Sequence, residues 1–207
     1  MKPLQLGVFA SGKGSNFSAI LRAIDGGGLR ADVRVVISNN ADAGALETAR
    51  SRGIPAEVVS SQDSGSRARF VDRLIGVLNR HGVDFIALAG YMKRIPPEVV
   101  AAFPGRICNI HPALLPSFGG KGMFGRHVHK AVLEHGCKVT GVTVHLVDEK
   151  YDCGPIVMQQ CVSVLDDDSP DTLAARVLEV EHSLYPKALA LFAEGRVRIE
   201  GRRVFIR

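Results

Sequence analysis

The stretch Leu4-Gln5-Leu6-Gly7-Val8-Phe9-Ala10-Ser11-Gly12-Lys13-Gly14-Ser15-Asn16-Phe17 decides how this chain is built. The apolar run Leu4 to Ala10 breaks at a glycine-rich turn and passes into a helix-like segment, Phe17 to Ile24. Such a run, without polar alternation, reads as a strand covered on both faces, as strands of a parallel sheet are. The pattern recurs: Val33 to Ile37 and Phe85 to Ala89 are further runs, and Ala43 to Arg52 and Arg67 to Arg80 are helix-like. Gly26 to Gly28, Gly53 and Gly82 stand near the helix ends. Strand and helix alternate, which predicts an α/β fold with a doubly wound, mostly parallel open sheet, Rossmann-like, and right-handed crossovers.

Beyond this the pattern changes. Ile107 to Ile110 reads as a strand that runs on to His111, and a helix follows from about Arg126 to His135. Val139 to Val147 and Ile156 to Val164 are longer β-rich runs joined by a short turn around Asp152, so an antiparallel pair is expected in this C-terminal part. Ser169-Pro170-Asp171-Thr172 signals the start of a long helix, Asp171 to Glu194, which ends at Gly195. The tail alternates as Val197-Arg198-Ile199 and Val204-Phe205-Ile206 around Glu200-Gly201-Arg202 and reads as a small hairpin.

At 207 residues with 46% hydrophobic content, and no linker or low-complexity run, one domain with one large core is expected over residues 1–207. No apolar stretch reaches the length of a membrane span, so a soluble globular protein without a membrane partner is expected. Met1-Lys2-Pro3 ahead of the apolar run could mimic a signal peptide, but the run is short and a buried first strand explains it better. Cys108, Cys137, Cys153 and Cys161 show no C-x-x-C spacing, which suits free thiols in a reducing compartment and predicts a cytoplasmic protein. His127, His129 and His135 are not completed by thiolates or paired carboxylates, so no metal is expected.

The net charge of +5 suits anionic ligands without choosing among them. Much of it lies in the tail, at Arg196, Arg198, Arg202, Arg203 and Arg207. With only Phe205 nearby to stack on a base, the tail reads as a solvated face and no nucleic-acid partner is expected.

Two short segments carry chemistry. In Asn109-Ile110-His111-Pro112, side chains two apart on a strand share a face, so Asn109 and His111 point into one space. Pro112 keeps His111 extended. In Asp152-Cys153-Gly154-Pro155, the carboxylate either forms the turn or faces the histidine. A neutral amide donates to a carbonyl oxygen, an imidazole exchanges a proton near neutral pH, and a carboxylate fixes its tautomer and favours its charged form. The set suits attack on a carbonyl.

Ser11-Gly12-Lys13-Gly14-Ser15-Asn16 lies between strand and helix, where a helix N-terminus presents free N–H groups to an anion. It lacks the G-x-x-x-x-G-K-[ST] pattern of a P-loop. It also lacks the dinucleotide fingerprint, since Phe17 holds the third glycine's place and Ser38-Asn39-Asn40 has no acidic residue. Two readings stay open here: a phosphate cradle, or a tight glycine turn with Ser15 or Asn16 capping the helix.

At Cys108-Asn109-Ile110-His111-Pro112-Ala113-Leu114-Leu115-Pro116, and at the segment from Gly141 through His145 and Asp152 to Ile156, the chain resembles the phosphoribosylglycinamide formyltransferase family. The resemblance covers essentially the whole length. It departs at Cys153, where a smaller residue is common, and in the longer loop Ser117 to Gly125. It implies 10-formyltetrahydrofolate as co-substrate, small-molecule substrates, no metal, and a monomer or weak homodimer. Carried across, it makes His111 the general acid/base, Asn109 the donor to the formyl oxygen, and Asp152 the partner that raises the histidine's pKa.

The same resemblance places Gly14, Ser15 and Asn16 at the ribonucleotide phosphate and Glu181 at the ribose. It places Met92, Lys93, Arg94 and Ile95 along the pterin pocket beside Asn109, Arg67 on the folate, and the turn Val147 to Asp152 across from them. Residues 1–100 are expected as a phosphate-binding half and 101–207 as a folate-binding and catalytic half. The activity implied is formyl transfer to the amine of 5-phosphoribosylglycinamide in purine biosynthesis. The alternatives are 10-formyltetrahydrofolate hydrolase or another folate-dependent formyltransferase.

Overall fold

A computed structural model describes residues 2–207. Its first elements alternate as expected: β1 (Leu4–Phe9), α1 (Ser15–Asp25), β2 (Ala31–Ser38), α2 (Gly44–Ser51), β3 (Ala56–Val58), α3 (Arg67–Arg80), β4 (Phe85–Leu88), α4 (Pro97–Ala102) and β5 (Ile107–His111). Then follow α5 (Arg126–Glu134), β6 (Val139–Leu146), β7 (Ile156–Ser163), α6 (Pro170–Ala193) and the hairpin β8 (Val197–Glu200) and β9 (Arg203–Ile206). The main sheet has seven strands in the order β3-β2-β1-β4-β5-β6-β7, and β8-β9 form a separate two-stranded sheet. Neighbours from β3 to β5 are parallel, whereas β5–β6 and β6–β7 are antiparallel.

Helices cover both faces, which is why the strands are apolar throughout. On one side Leu6, Val8, Ala87, Cys108 and Ile110 pack with residues of α1, α2 and α6. On the other, Phe9, Ile37, Ile86, Leu88 and Ile107 pack with α3 and α4. After β1 the chain goes first to β2 on one flank and then to β4 on the other. The switch point therefore lies between β1 and β4, and a crevice opens beyond their carboxyl ends.

α6 starts where its capping signals lie. The Ser169 hydroxyl accepts from the Thr172 amide at 3.2 Å and the Thr172 hydroxyl accepts from the Ser169 amide at 2.9 Å, with Pro170 in the first turn. The Tyr185 hydroxyl, fully buried on this helix, lies 3.0 Å from the Leu88 carbonyl and 2.8 Å from that of Cys108, tying α6 to β4 and β5.

Three features depart from the sequence reading. β3 and α4 were not expected, because β3 is only three residues long and α4 sits behind Pro96-Pro97, which reads as a break yet fits a helix start. β5 also pairs antiparallel with β6, so the antiparallel part begins one strand earlier than expected. One sheet runs through residues 1–100 and 101–207, and Asn16 meets Glu181 across them. All four cysteines are free. Among the described residues, no helix is long and apolar enough to cross a membrane.

Candidate active site

A cavity of about 560 Å³ opens at the carboxyl ends of β1, β4 and β5, within the size range of small-molecule sites. Asn109 and His111 both line it, as their two-residue spacing on β5 requires. The chain after His111 is pinned by Thr143 of β6. Its hydroxyl donates to the Ala113 carbonyl at 2.6 Å and accepts from the Leu115 amide at 3.0 Å and from Gln159 Nε2 at 2.9 Å. The segment leaving β5 is thus held by a buried hydrogen-bond network.

His111 is 4% exposed. Its Nε2 lies 2.8 Å from the Phe118 carbonyl, which can only accept, so Nε2 carries the hydrogen. Nδ1 faces Asp152 Oδ2 at 3.7 Å, beyond hydrogen-bond reach. Burial pushes the imidazole below its ordinary pKa; Asp152 and the Phe118 carbonyl push it up, and His145 pushes it down. The net direction is down. Asp152 favours the charged ring, while desolvation, the larger effect, disfavours it.

Asp152 sits at φ 53°, a left-handed conformation uncommon for residues other than glycine, though less so for asparagine and aspartate. The turn brings Gly154 so close to β6 that an added Cβ would lie 1.8 Å from the Leu146 carbonyl oxygen, so only glycine fits there. Burial alone would raise the Asp152 carboxyl. The adjacent His145 ring, the Gly120 amide donating at 2.8 Å and the charge of a protonated His111 together hold it below the ordinary carboxylate range.

The sequence alone assigns no role to His145 on β6. It stands directly opposite Asn109 in the antiparallel register and is 2% exposed. Its Nδ1 donates to the Leu146 carbonyl at 2.8 Å, so in the neutral ring Nε2 accepts, and it takes one N–H of Asn109 at 3.1 Å. This fixes the orientation of the Asn109 amide and leaves its second N–H to donate elsewhere. His145 Nε2 also lies 3.6 Å from Asp152 Oδ1. Only the β5–β6 pairing reveals this link.

At the opposite wall Ser15, Asn16 and Glu181 line the cavity. α1 has Gly14 as its N-cap, at φ 79°, and no side chain caps it, so the capping reading of Ser15 and Asn16 does not hold. Gly14 itself is demanded by packing: a Cβ there would lie 2.7 Å from Ala45 Cβ on α2. Asn16, 6% exposed, donates from Nδ2 to Glu181 Oε2 at 2.6 Å, while its buried Oδ1 has no partner. Burial raises the Glu181 carboxyl and the Asn16 hydrogen bond lowers it, with burial prevailing.

Met92, Lys93, Arg94 and Ile95 line the cavity between these walls, with Ile95 buried and Met92 46% exposed. The Ser11 hydroxyl accepts from the Met92 amide at 2.8 Å, tying this segment to the loop after β1. Arg94 donates to the Glu149 carbonyl and stands 5.9 Å from the centroid of the Tyr151 ring, so the 147–152 turn closes the other side. Lys121, Phe124 and Leu178 also line it and were not foreseen. Arg67 is not brought here. It lies at the start of α3, exposed, paired with Glu98 at 3.1 Å, because its helix packs over the far face of the sheet.

Among the described residues no group of three or more His, Cys, Asp or Glu side chains is placed to hold a metal ion. His129 is buried on α5, and His135 Nδ1 donates to the Ala131 carbonyl at 2.8 Å within its own helix.

Residues 4–189 match the formyl transferase family. The chain is 48% identical over 195 residues to phosphoribosylglycinamide formyltransferase, chloroplastic, of Arabidopsis thaliana, covering 94% of this chain and 67% of that protein. It is 38% identical over 192 residues to the Escherichia coli K12 phosphoribosylglycinamide formyltransferase, covering 93% and 88%. Glycinamide ribonucleotide transformylase 1 from Symbiobacterium toebii superposes with a TM-score of 0.93 at 45% identity, over 99% of this chain and 94% of that one.

Proposed function

The chain belongs to the formyl transferase family, and from that premise we propose that it moves the formyl group of 10-formyltetrahydrofolate to the amine of 5-phosphoribosylglycinamide, a step of purine biosynthesis. The observation that carries this reading is one cavity whose catalytic wall holds Asn109, His111 and Asp152 and whose opposite wall holds Asn16 at the N-terminus of α1 and Glu181 of α6. The N-terminus of α1, with Ser15 and Asn16, suits the phosphate, and Glu181 suits a ribose hydroxyl. Met92 to Ile95 and the 147–152 turn suit the flat pterin, with apolar side chains and backbone polar groups together. The free cysteines favour the cytoplasm.

The chemistry follows from the side chains. The substrate amine attacks the formyl carbon, and charge develops on the formyl oxygen. The second N–H of Asn109 donates to that oxygen, a kind of contact worth about 3 kcal/mol in the transition state. The lowered pKa of His111 keeps its ring neutral near pH 7, so it is the neutral form that enters the reaction. It takes up the proton the amine loses and passes it to the departing folate nitrogen as the carbon–nitrogen bond breaks. Asp152, held ionised, stabilises the imidazolium in between.

The test is to mix the pure protein with 10-formyltetrahydrofolate, with and without 5-phosphoribosylglycinamide. Tetrahydrofolate released only when the amine is present is the expected result. Equal release without it would make the protein a hydrolase and overturn the proposal.

A further inference from the structure

The basic tail has no part in the site described so far, and most of its charge is spent within the hairpin. Arg198 pairs with Glu200, Arg198 and Arg203 flank the Phe205 ring at 4.6 and 4.9 Å from its centroid, and Arg196 bonds the Arg207 carbonyl and Glu194. Arg202 differs. It sits at the hairpin tip beside Gly201, whose φ of 58° takes the first of the two turn positions, where a tight hairpin calls for a positive φ. From there its Nη2 donates to the Cys153 carbonyl at 2.8 Å. The hairpin is anchored for this reach, since β9 packs on β7 and Val204 packs against the main core.

Cys153 directly follows Asp152. The left-handed backbone of Asp152 turns its carboxylate toward His111 and His145. A residue in that conformation keeps it only where its surroundings over-determine it. On one side the Gly120 amide holds the carboxylate itself. On the other, Gly154 lies against the Leu146 carbonyl and Arg202 holds the peptide between. The groups that lower the Asp152 carboxyl are His145, Gly120 and His111; Arg202 touches the backbone instead. We propose that Arg202 is a positioning residue: through the Cys153 carbonyl the C-terminal hairpin clamps the turn that aims Asp152 at His111. This rests on the formyl-transfer reading for its kinetic arm only.

The experiment compares Arg202→Met, which keeps the length and loses the donor, with Arg202→Lys, which keeps a donor, both in the full chain. Formyl transfer is assayed, the His111 ring is titrated by NMR without substrates, and melting temperature is recorded. Arg202→Met is expected to lower kcat about fivefold, the scale of one hydrogen bond, with the KM of both substrates within about twofold, and Arg202→Lys to recover most of it. Asp152, His145, His129 and the Phe118 carbonyl face the His111 ring. Of these only Asp152 is loosened by the change, so the ring's pKa should fall in Arg202→Met.

An Arg202→Met protein with unchanged kcat and unchanged His111 titration would overturn the clamp. So would equal kcat losses in both variants with an unmoved titration and a lowered melting temperature, which would mark a merely structural arginine. If the wild-type protein fails to formylate the ribonucleotide, the functional reading falls while the ring titration still decides the clamp.

Discussion

Two carboxylates line the same cavity and are driven in opposite directions: Glu181 is raised by its burial, while Asp152 is lowered despite its own. The difference lies in their partners. Glu181 has one amide, Asn16 Nδ2 at 2.6 Å, which offsets part of the desolvation. Asp152 has two imidazoles and a backbone N–H, which overcome it. One wall therefore holds a carboxylate whose charged form burial disfavours, and the other a carboxylate whose charged form its neighbours favour. On the proposed reading, binding and proton transfer are separated within one cavity by the groups that face each carboxylate.

If that division is right, the largest losses should come from the proton-transfer wall. Asn109→Ala removes the donor to the developing oxyanion and should lower kcat by about 10² to 10³, with ribonucleotide affinity nearly unchanged. His111→Ala should fall comparably. Steady-state kinetics and direct binding of each substrate decide it, and an Asn109→Ala enzyme with near-normal turnover would break the comparison at its root.

Next in size is Asp152→Asn. In the proposed mechanism neutral His111 is the base, so activity should be lost as pH falls through its folded-state pKa, which burial sets below the ordinary value. Asp152 pushes that pKa up, so removing its charge should carry the acid limb to still lower pH. The plateau should drop by about tenfold or more, because the imidazolium formed during the reaction loses its counter-charge. The substrate amine titrates too, so the limb is assigned by NMR of the His111 ring. A ring pKa that stays or rises would uncouple the two side chains and return Asp152 to being a turn former.

The two walls were not equally legible. Asn109 and His111 could be read from a period of two and a following proline, both local. Asp152 needed the resemblance, since nothing local says which way a turn aspartate points. His145 lay in plain view in an apolar strand, but its partner stands opposite it only once β5 and β6 pair. The parallel strands were legible because burial on both faces writes itself as a continuous apolar run. β3 is too short for any period to show, and α4 hides behind prolines. Gly14 was placed at the phosphate, whereas the structure gives it a packing reason as well, the approach of Ala45.

On the binding wall, Asn16→Asp sharpens the contrast. It sets a second carboxylate about where Nδ2 now meets Glu181, so the pair must share a proton or repel. The KM for the ribonucleotide should rise roughly tenfold or more, through repulsion of the phosphate as well, and the effect should deepen as pH rises and the shared proton leaves. Folate binding should stay within about twofold. A matching loss of folate affinity would mean that the two walls are one.

The smallest effect is expected at Arg67, and it sets what the resemblance implies against what the fold allows. Met92 to Ile95 line the cavity, while Arg67 is exposed on α3 and held by Glu98. An exposed ion pair is worth about 0–1 kcal/mol, and a contact from such a side chain to a ligand at the cavity rim would be similarly screened. Arg67→Ala should therefore change the KM for 10-formyltetrahydrofolate by less than about fivefold, with kcat untouched. Arg94→Ala removes both the hold on the Glu149 carbonyl and the contact with Tyr151, so it should cost more, through a looser 147–152 turn. Measuring both KM values under one salt condition ranks them. A larger loss at Arg67 than at Arg94 would show that α3 comes to the folate when it binds, and that the cavity's wall extends beyond the residues that line it here.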